Sequence, residues 1–335
     1  MDTQKKFSLY PCCVLTKGVN RALITDLQRM RYKLIPLALF NLLTKHKNQP
    51  IKKIINTYRD NKDTIINYYE QLIAGDWGIL EKHDQTLFEP IQSHYYNPKL
   101  ITNAIFDYCH KSTYSIPKAI DKLEELHCEN LEIRFYDEVG IKFLLDNIFD
   151  SLEGTSIRNL ELLVQFTNEF SLEQIIDIHI KYPRLRKIIL SSSPHSKEKI
   201  CNLDSVIVIY TAEKIKSEVC CGVIKPWYFS TETAMYIESI NRNNCLNAKI
   251  SVDKYGNIKN CPSMSTIFGH INTDSLTNIA TNPEFKKIWT IKKDDIKDCR
   301  ECEFRYICQD CRAYITDPND LLSKPSKCNY NPYKQ

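Results

Sequence analysis

Glycine is scarce in this chain, with eight residues in 335, at positions 18, 75, 78, 140, 154, 222, 256 and 269. Neither G-x-G-x-x-G nor G-x-x-x-x-G-K-[ST] can be assembled from them, and backbone cradles for phosphate need glycine where the chain approaches its ligand. A kinase, a nucleotide-dependent ligase or a dehydrogenase is therefore not expected. Long apolar runs are missing too. The longest, LIPLALFNLL at 34–43, is ten residues and carries Pro36 and Asn41, where a membrane span needs about 20. The N-terminal stretch MDTQKKFSLYPCCVLTKG holds no apolar segment long enough for a signal peptide, and a cytoplasmic protein is expected. Charge of one sign is also lacking: 45 Lys and Arg against 41 Asp and Glu leave +4, too little to demand a polyanionic partner.

Cysteine, by contrast, is abundant. Fourteen are present, and seven of them fall between 245 and 328, so the density belongs to one C-terminal module. A reducing cytosol disfavours structural disulfides, and clustered thiols there more often bind metal or do redox chemistry. Hydrophobic residues at 43% and charged residues at 26% fit a globular chain, long enough for two or three domains.

Residues 21–35, RALITDLQRMRYKLI, alternate as a short strand pair, and PLALFNLLTKH follows with Pro36 at a favoured first helical position. Pro50 opens a second helix with Ile51, Ile54, Ile55 and Tyr58 on one face. Ile65, Ile66, Tyr69, Leu72 and Ile73 recur at helical spacing in a third. DWGILEKHDQTLFEP reads as a hairpin of Ile79 and Leu80 against Leu87 and Phe88. Three short helices and a terminal hairpin imply a winged-helix-like unit over residues 1–92. Its expected recognition helix, KDTIINYYEQLIAG, sets one lysine against an aspartate and a glutamate, whereas phosphate contacts supply most non-specific DNA affinity. Nucleic acid is not expected. A peptide adding a strand to the sheet edge needs no basic surface.

Over residues 93–235 the pattern changes to alternating strands and helices. LITNAIFDY, NLEIRFYDE, LELLVQF, LRKIILSSS and SVIVIYTA read as strands. Between them come SIPKAIDKLEELH, a stripe of Ile141, Leu144, Leu145, Ile148, Phe149 and Leu152, and a helix opened by a Ser171/Gln174 capping box. Repeated β-α units of this length imply an α/β fold with a parallel sheet, open or curved into a partial barrel. Function in such sheets collects at the carboxyl ends of the strands. Those ends are DYCHKSTYS, FYDEVG, QFTNEF and SSSPHS, the last carrying the site candidate His195. His179 lies on an apolar helix stripe and reads as a packed core residue; Asp137 and Glu138 read as solvated loop carboxylates.

The C-terminal module, residues 236–335, begins with CLNAKISVDKYGNIKNCPS, a hairpin with DKYGN as its turn and Cys245 and Cys261 around it. Cys299-x2-Cys302-x5-Cys308-x2-Cys311 follows, then Cys328. A C-x2-C bite lets two thiolates reach one metal centre. Two closed four-thiolate sites need eight ligands where the module has seven, which leaves one site open or completed from elsewhere. At these residues the sequence resembles the SPASM domain of peptide-modifying radical SAM maturases, down to the filler of DCRECEFRYIC and CRAY. The resemblance implies two auxiliary iron–sulfur clusters, [4Fe-4S] in type. By position, Cys299, Cys302, Cys308 and Cys328 would hold one. Cys245, Cys261 and Cys311 would hold the other, with Cys220, Cys221, substrate or nothing as fourth ligand. Two residues separate Cys308 from Cys311 where three are more usual. Zinc ribbons also use C-x2-C pairs, but four ligands inside thirteen residues, interleaved with three distant ones, are less typical of them.

Radical SAM enzymes carry a further cluster on C-x3-C-x2-C after the first barrel strand. Here DYCHKSTYSI supplies Cys109, with Thr113 and Ile116 at the other two positions. After the second strand, FYDEVG puts Tyr136 and Asp137 where such enzymes have glycines that make room for SAM. The resemblance therefore implies a radical-SAM-like partial barrel without SAM chemistry. The whole arrangement, including CVLTKGVNRALITDLQRMRYKLIP, looks like the SPASM-containing maturase of grasp-with-spasm systems. That implies a maturation factor that binds a ribosomally made precursor peptide and acts with an ATP-grasp ligase. The alternatives are a peptide-modifying enzyme with an open auxiliary cluster, or a zinc-binding winged-helix regulator. Adjacent Cys12 and Cys13 read as a strand start.

Overall fold

The computed structural model describes residues 1–82, 88–194, 199–203 and 206–334, with 199–203 described in their backbone alone. Among the described residues the N-terminal region holds five strands: β1 (Lys6–Leu9), β2 (Cys13–Lys17), β3 (Arg21–Asp26), β4 (Arg31–Pro36) and β5 (Gly78–Glu81). β2, β3 and β4 form an antiparallel sheet in that order. The strand pair expected over 21–35 is present, and Cys13 begins the strand that flanks it. Helices Leu37–Lys45, Ile51–Thr57 and Lys62–Ala74 follow, with Pro36 and Pro50 each one residue ahead of a helix. Ile51, Ile54, Ile65, Tyr69 and Leu72 close a core with Phe7, Ile24, Ile35 and Trp77. Tyr58 lies outside that core, exposed, with its hydroxyl on the His46 ring. The pairing expected for Ile79 and Leu80 differs. β5 lies antiparallel to β1, with Phe7 opposite Leu80. Leu87 falls outside the described residues, and Phe88, in no strand, sets its ring edge-on to Tyr10.

Nine strands among the described residues form the second, larger sheet. They are β6 (Asn103–Tyr108), β7 (Asn130–Phe135), β8 (Asn159–Gln165), β9 (Leu185–Ser191), β10 (Lys199–Leu203), β11 (Val206–Tyr210), β12 (Lys249–Val252), β13 (Asn257–Lys259) and β14 (Gly269–His270). Their order is β10-β11-β9-β8-β7-β6-β12-β13-β14, parallel from β11 to β12 and antiparallel at both ends. Side chains alternate across a strand, and the two faces differ sharply. Ala104, Phe106, Leu131, Ile133, Phe135, Leu160, Leu162, Val164, Ile188 and Leu190 pack into one apolar core. The opposite face carries Asn103, Asp107, Asn130, Glu132, Arg134, Asn159, Glu161 and Lys187. A bulge at Leu160/Glu161 restores the alternation between β8 and β9. The capping box expected ahead of helix Leu172–Lys181 is complete: Ser171 Oγ accepts from Gln174 N–H and Gln174 Oε1 from Ser171 N–H, both at 3.2 Å.

The hairpin expected around Gly256 is β12–β13. Gly256 takes φ +86, a left-handed value that favours glycine. β12 also pairs with β6, and Ile250, Val252, Ile258 and Phe285 enter the same core as Phe106 and Ile133. The C-terminal module is thus built onto the sheet, not appended to it. Fully burying each such side chain is worth about 1.5–3 kcal/mol. A fragment of residues 93–235 leaves the β6 edge open and removes all four of those side chains. It is expected to show no cooperative unfolding transition by circular dichroism, whereas residues 93–335 show one.

Candidate metal centres

The thirteen described cysteines are free thiols. Cys299 opens a short turn, entered through Asp298 at φ +61, and Cys302 N–H closes it onto Cys299 O at 3.0 Å. Cys308 N–H bonds Phe304 O at 3.0 Å and Cys328 N–H bonds Pro325 O at 3.1 Å. The four thiols so placed, Cys299, Cys302, Cys308 and Cys328, line one cavity with Ile224, Arg305 and Tyr330. A second cavity is lined by Cys221, Cys245, Cys261 and Cys311 with Gly222, Ile224 and Tyr314. The C-x2-C of 299 and 302 faces one cavity, whereas that of 308 and 311 is divided between the two.

A buried ion network makes that division. Asp310 accepts from Arg312 Nε at 3.0 Å and from Asn243 at 2.6 Å, with Arg312 Nη2 in ion-pair range at 2.8 Å, and stands 3.7 Å from the Lys293 ammonium. Arg312 in turn donates to the carbonyls of Leu321 and Ser323. Lys293, Asp310 and Arg312 are each no more than 3% exposed. Breaking one partner of such a buried set costs about 3–5 kcal/mol, so the segment between Cys308 and Cys311 is firmly held.

Among the candidates for an eighth thiol, Cys221 lines the second cavity, and Cys220 beside it is exposed. The signal in the sequence was Gly222. Its φ is +82, and a Cβ there would stand 2.8 Å from Cys311 Sγ and 2.8 Å from the Tyr314 ring. Only glycine lets the chain turn at Cys221 so close to Cys311.

Burial disfavours the thiolates of both sets. It pushes Cys299 and Cys245 up to about 11 and Cys302 and Cys261 up to about 12, and it raises Cys308 and Cys311 as well. Two lysines oppose it. Lys293 Nζ lies 3.7 Å from Cys308 Sγ, and Lys249 Nζ lies 3.8 Å from Cys245 Sγ. Burial pulls each ammonium downward, but the nearby sulfurs, together with Asp310 at Lys293 and Glu132 at Lys249, more than offset this and the net shift is upward.

The spacing of the donors bears on which metal fits. Four thiolates on one zinc, each at about 2.3 Å, crowd within about 4 Å of one another. Among the described residues, the three-donor group within 4.8 Å is Cys12, Cys13 and Asp26, and the two C-terminal sets are spread wider. A wider set suits a multi-iron cluster, where each thiolate takes a separate iron. At Cys12 and Cys13, Asp26 already accepts from Arg29 at 3.1 Å and Arg31 at 3.2 Å, a poor setting for a cation.

The carboxyl ends of β6 and β7 look different. Cys109 lies in the first loop, where Thr113 and Ile116 accompany it. Ile116, 2% exposed, belongs to the core. On the polar face of the sheet, Asp107 accepts from Arg134 Nε at 2.6 Å and from the Tyr136 hydroxyl at 2.9 Å. All three are buried; burial drives Asp107 up to about 6 against the pull of Arg134 and Tyr136. Asp137 accepts from His110 Nδ1 at 2.5 Å. His179 is half-buried, with Nδ1 2.9 Å from Leu185 O. His195 lies outside the described residues.

Residues 245–303 match the family model of SPASM, an iron–sulfur cluster-binding domain. The match takes in Cys245, Cys261, Cys299 and Cys302 and ends before Cys308. Among solved structures the chain is similar to SuiB of Streptococcus suis bound to precursor peptide SuiA, at 10% identity and a TM-score of 0.32, covering 97% of this chain and 100% of that one. It is also similar to SuiB bound to S-adenosylmethionine, at 10% identity and a TM-score of 0.28, covering 91% and 96%. No curated protein sequence matches. No helix among the described residues is long and apolar enough to cross a membrane.

Because burial raises these thiols, the metal-free fold holds their protons more tightly than the unfolded chain does. Their contribution to stability is full below the ordinary thiol pKa of about 8.5 and is lost as pH rises toward the folded values of about 11 to 12. Urea midpoints of metal-free protein are therefore expected to be lower at about pH 10 than at about pH 7. An equal or higher midpoint at the alkaline pH contradicts the assignment of buried neutral thiols.

Proposed function

We propose that this protein is a maturation factor for a ribosomally synthesised, post-translationally modified peptide. In this reading it binds the precursor, acts with an ATP-grasp ligase and carries two iron–sulfur clusters of the [4Fe-4S] type. Cys299, Cys302, Cys308 and Cys328 hold one, and Cys221, Cys245, Cys261 and Cys311 hold the other. The observation that carries the reading is the collection of eight thiols into two four-thiol cavities, in a chain whose residues 245–303 match an iron–sulfur cluster-binding domain. When bound, such clusters supply one-electron transfer or rigidity. With Cys221 in the second set each cluster has four thiolates and no open position. That favours a structural or electron-carrying role over chemistry at an open iron.

Two features support the absence of SAM chemistry. Thr113 and buried Ile116 offer no ligand beside Cys109. The Asp107–Arg134–Tyr136 cluster is packed at the carboxyl end of the strands. For the peptide, β4 offers the mode of attachment. Its backbone pairs with β3 on one side and with no described strand on the other, while Tyr32 and Leu34 are exposed along it. An extended peptide added there gains main-chain hydrogen bonds, and the two exposed side chains give it apolar contacts.

The test combines the full-length protein, a purified ATP-grasp ligase, ATP and the precursor peptide, and reads the peptide's mass. Crosslinking, seen as loss of one water per bond formed, is expected to be at least about tenfold faster with the protein than without it, equivalent to about 1.4 kcal/mol in the barrier. Supplied with SAM and dithionite, the protein is expected to release no 5′-deoxyadenosine above a no-protein control. A mass change produced by this protein without the ligase would assign it catalysis of its own. Deoxyadenosine release would restore radical chemistry to it.

A further inference from the structure

Among the described residues, two ammonium groups are placed against sulfur, one at each four-thiol cavity. Lys293 is 3% exposed and sits 3.7 Å from Cys308 Sγ, with Gln309 O at 3.0 Å and Asp310 at 3.7 Å. Lys249 is half-buried on β12, 3.8 Å from Cys245 Sγ, and among the described residues no carboxylate lies within ion-pair distance of it. A buried cation is costly unless an anion compensates it. In Lys293 the nearby carboxylate is already engaged by Arg312, and in Lys249 the polar neighbour is a neutral thiol, a weak acceptor. Lys293 is thus partly satisfied by Gln309 O and Asp310, and Lys249 less so. Each gains an anionic partner if the thiols beside it are thiolates on a cluster.

We propose that Lys249 and Lys293 set the redox poise of the two clusters, each through an N–H···S contact and a positive charge held against the ligating sulfur. This rests on the cluster reading above. Four thiolates leave a cluster site net negative, and reduction adds one electron more, drawn from a low-potential one-electron donor. No bond at the lysine forms or breaks, and the ammonium keeps its protons. A fixed cation stabilises the reduced state more than the oxidised one, so each lysine raises its cluster's potential; net charge and hydrogen bonds to sulfur are the protein's main controls over it. The larger effect belongs to Lys249. Lys293 shares its charge with Asp310, and Arg312 partly restores it, whereas Lys249 has no ion-paired carboxylate among the described residues and feels Glu132 only at longer range. Lys249 also lines a groove on the polar face of the large sheet with Asn103, Asn130, Glu132, Asn159 and Glu161, so it stands between that face and the second set of thiols. These are positioning residues and not ligands.

The test is a dithionite titration of the full-length, anaerobically reconstituted protein, followed by electron paramagnetic resonance, beside its iron content. Lys249→Met is expected to keep its iron and to lower one midpoint so that reduction at a given potential is at least about tenfold less favourable, or about 59 mV for one electron. Lys249→Arg keeps the charge and is expected to restore most of that loss. Lys293→Met is expected to shift the other midpoint by less. If Lys293→Met fails to fold, the Lys249 pair decides. Lys249→Met with full iron and unmoved midpoints overturns the proposal and leaves the cluster reading standing. Wild-type protein that takes up no iron brings down the cluster reading and this inference with it.

Discussion

The Lys293–Asp310–Arg312 network is the constraint on which the C-terminal module depends. It lies between Cys308 and Cys311 and turns one thiol to each cavity. Cys299 and Cys302, also a C-x2-C pair, line a single cavity instead. Arg312 extends the network to the carbonyls of Leu321 and Ser323, which carries the same fixed geometry toward Cys328. A low-dielectric setting makes such a network strong when it is fully paired and costly when one member is lost.

The N-terminal unit is docked on the residues that flank the first cavity. Arg21 Nε donates to Glu303 at 2.5 Å and its Nη2 reaches the Tyr330 hydroxyl at 3.0 Å. Tyr330 in turn donates to Glu303 at 2.6 Å. Arg305 donates to Lys17 O at 2.6 Å, and Val19 N–H to Glu301 O at 2.9 Å. Gly18 fits here because a Cβ would meet the Glu303 backbone at 2.9 Å. Glu301, Glu303 and Arg305 surround Cys302 in the chain, and Tyr330 follows Cys328. The turn joining β2 to β3 is therefore seated on the loops that carry the first set of thiols. The outer edge of β4 lies nearby, with Tyr32 against Phe229 and Phe304.

Much of this was legible because it is local. The alternation of apolar residues marked β6 to β9 and β11, Ser171 and Gln174 marked a helix start three residues apart, and DKYGN marked a hairpin. The partner of Gly78–Glu81 was not legible, since pairing with Lys6–Leu9 across some seventy residues is a tertiary choice that leaves no short-range signal. Nor was the continuity of β12 with β6, which depends on a shared core. The choice between Cys220 and Cys221 turned on the left-handed backbone at Gly222, invisible to cysteine spacing. Lys249 and Lys293 belong to no motif in the sequence, and only their placement against sulfur distinguishes them.

The cluster reading requires that the two four-thiol sets hold iron with inorganic sulfide. Quantifying iron, acid-labile sulfide and zinc in protein purified without oxygen tests it most directly. Two [4Fe-4S] clusters predict about eight irons and about eight sulfides per chain. Zinc in stoichiometric amount, with no iron and no sulfide, would contradict it.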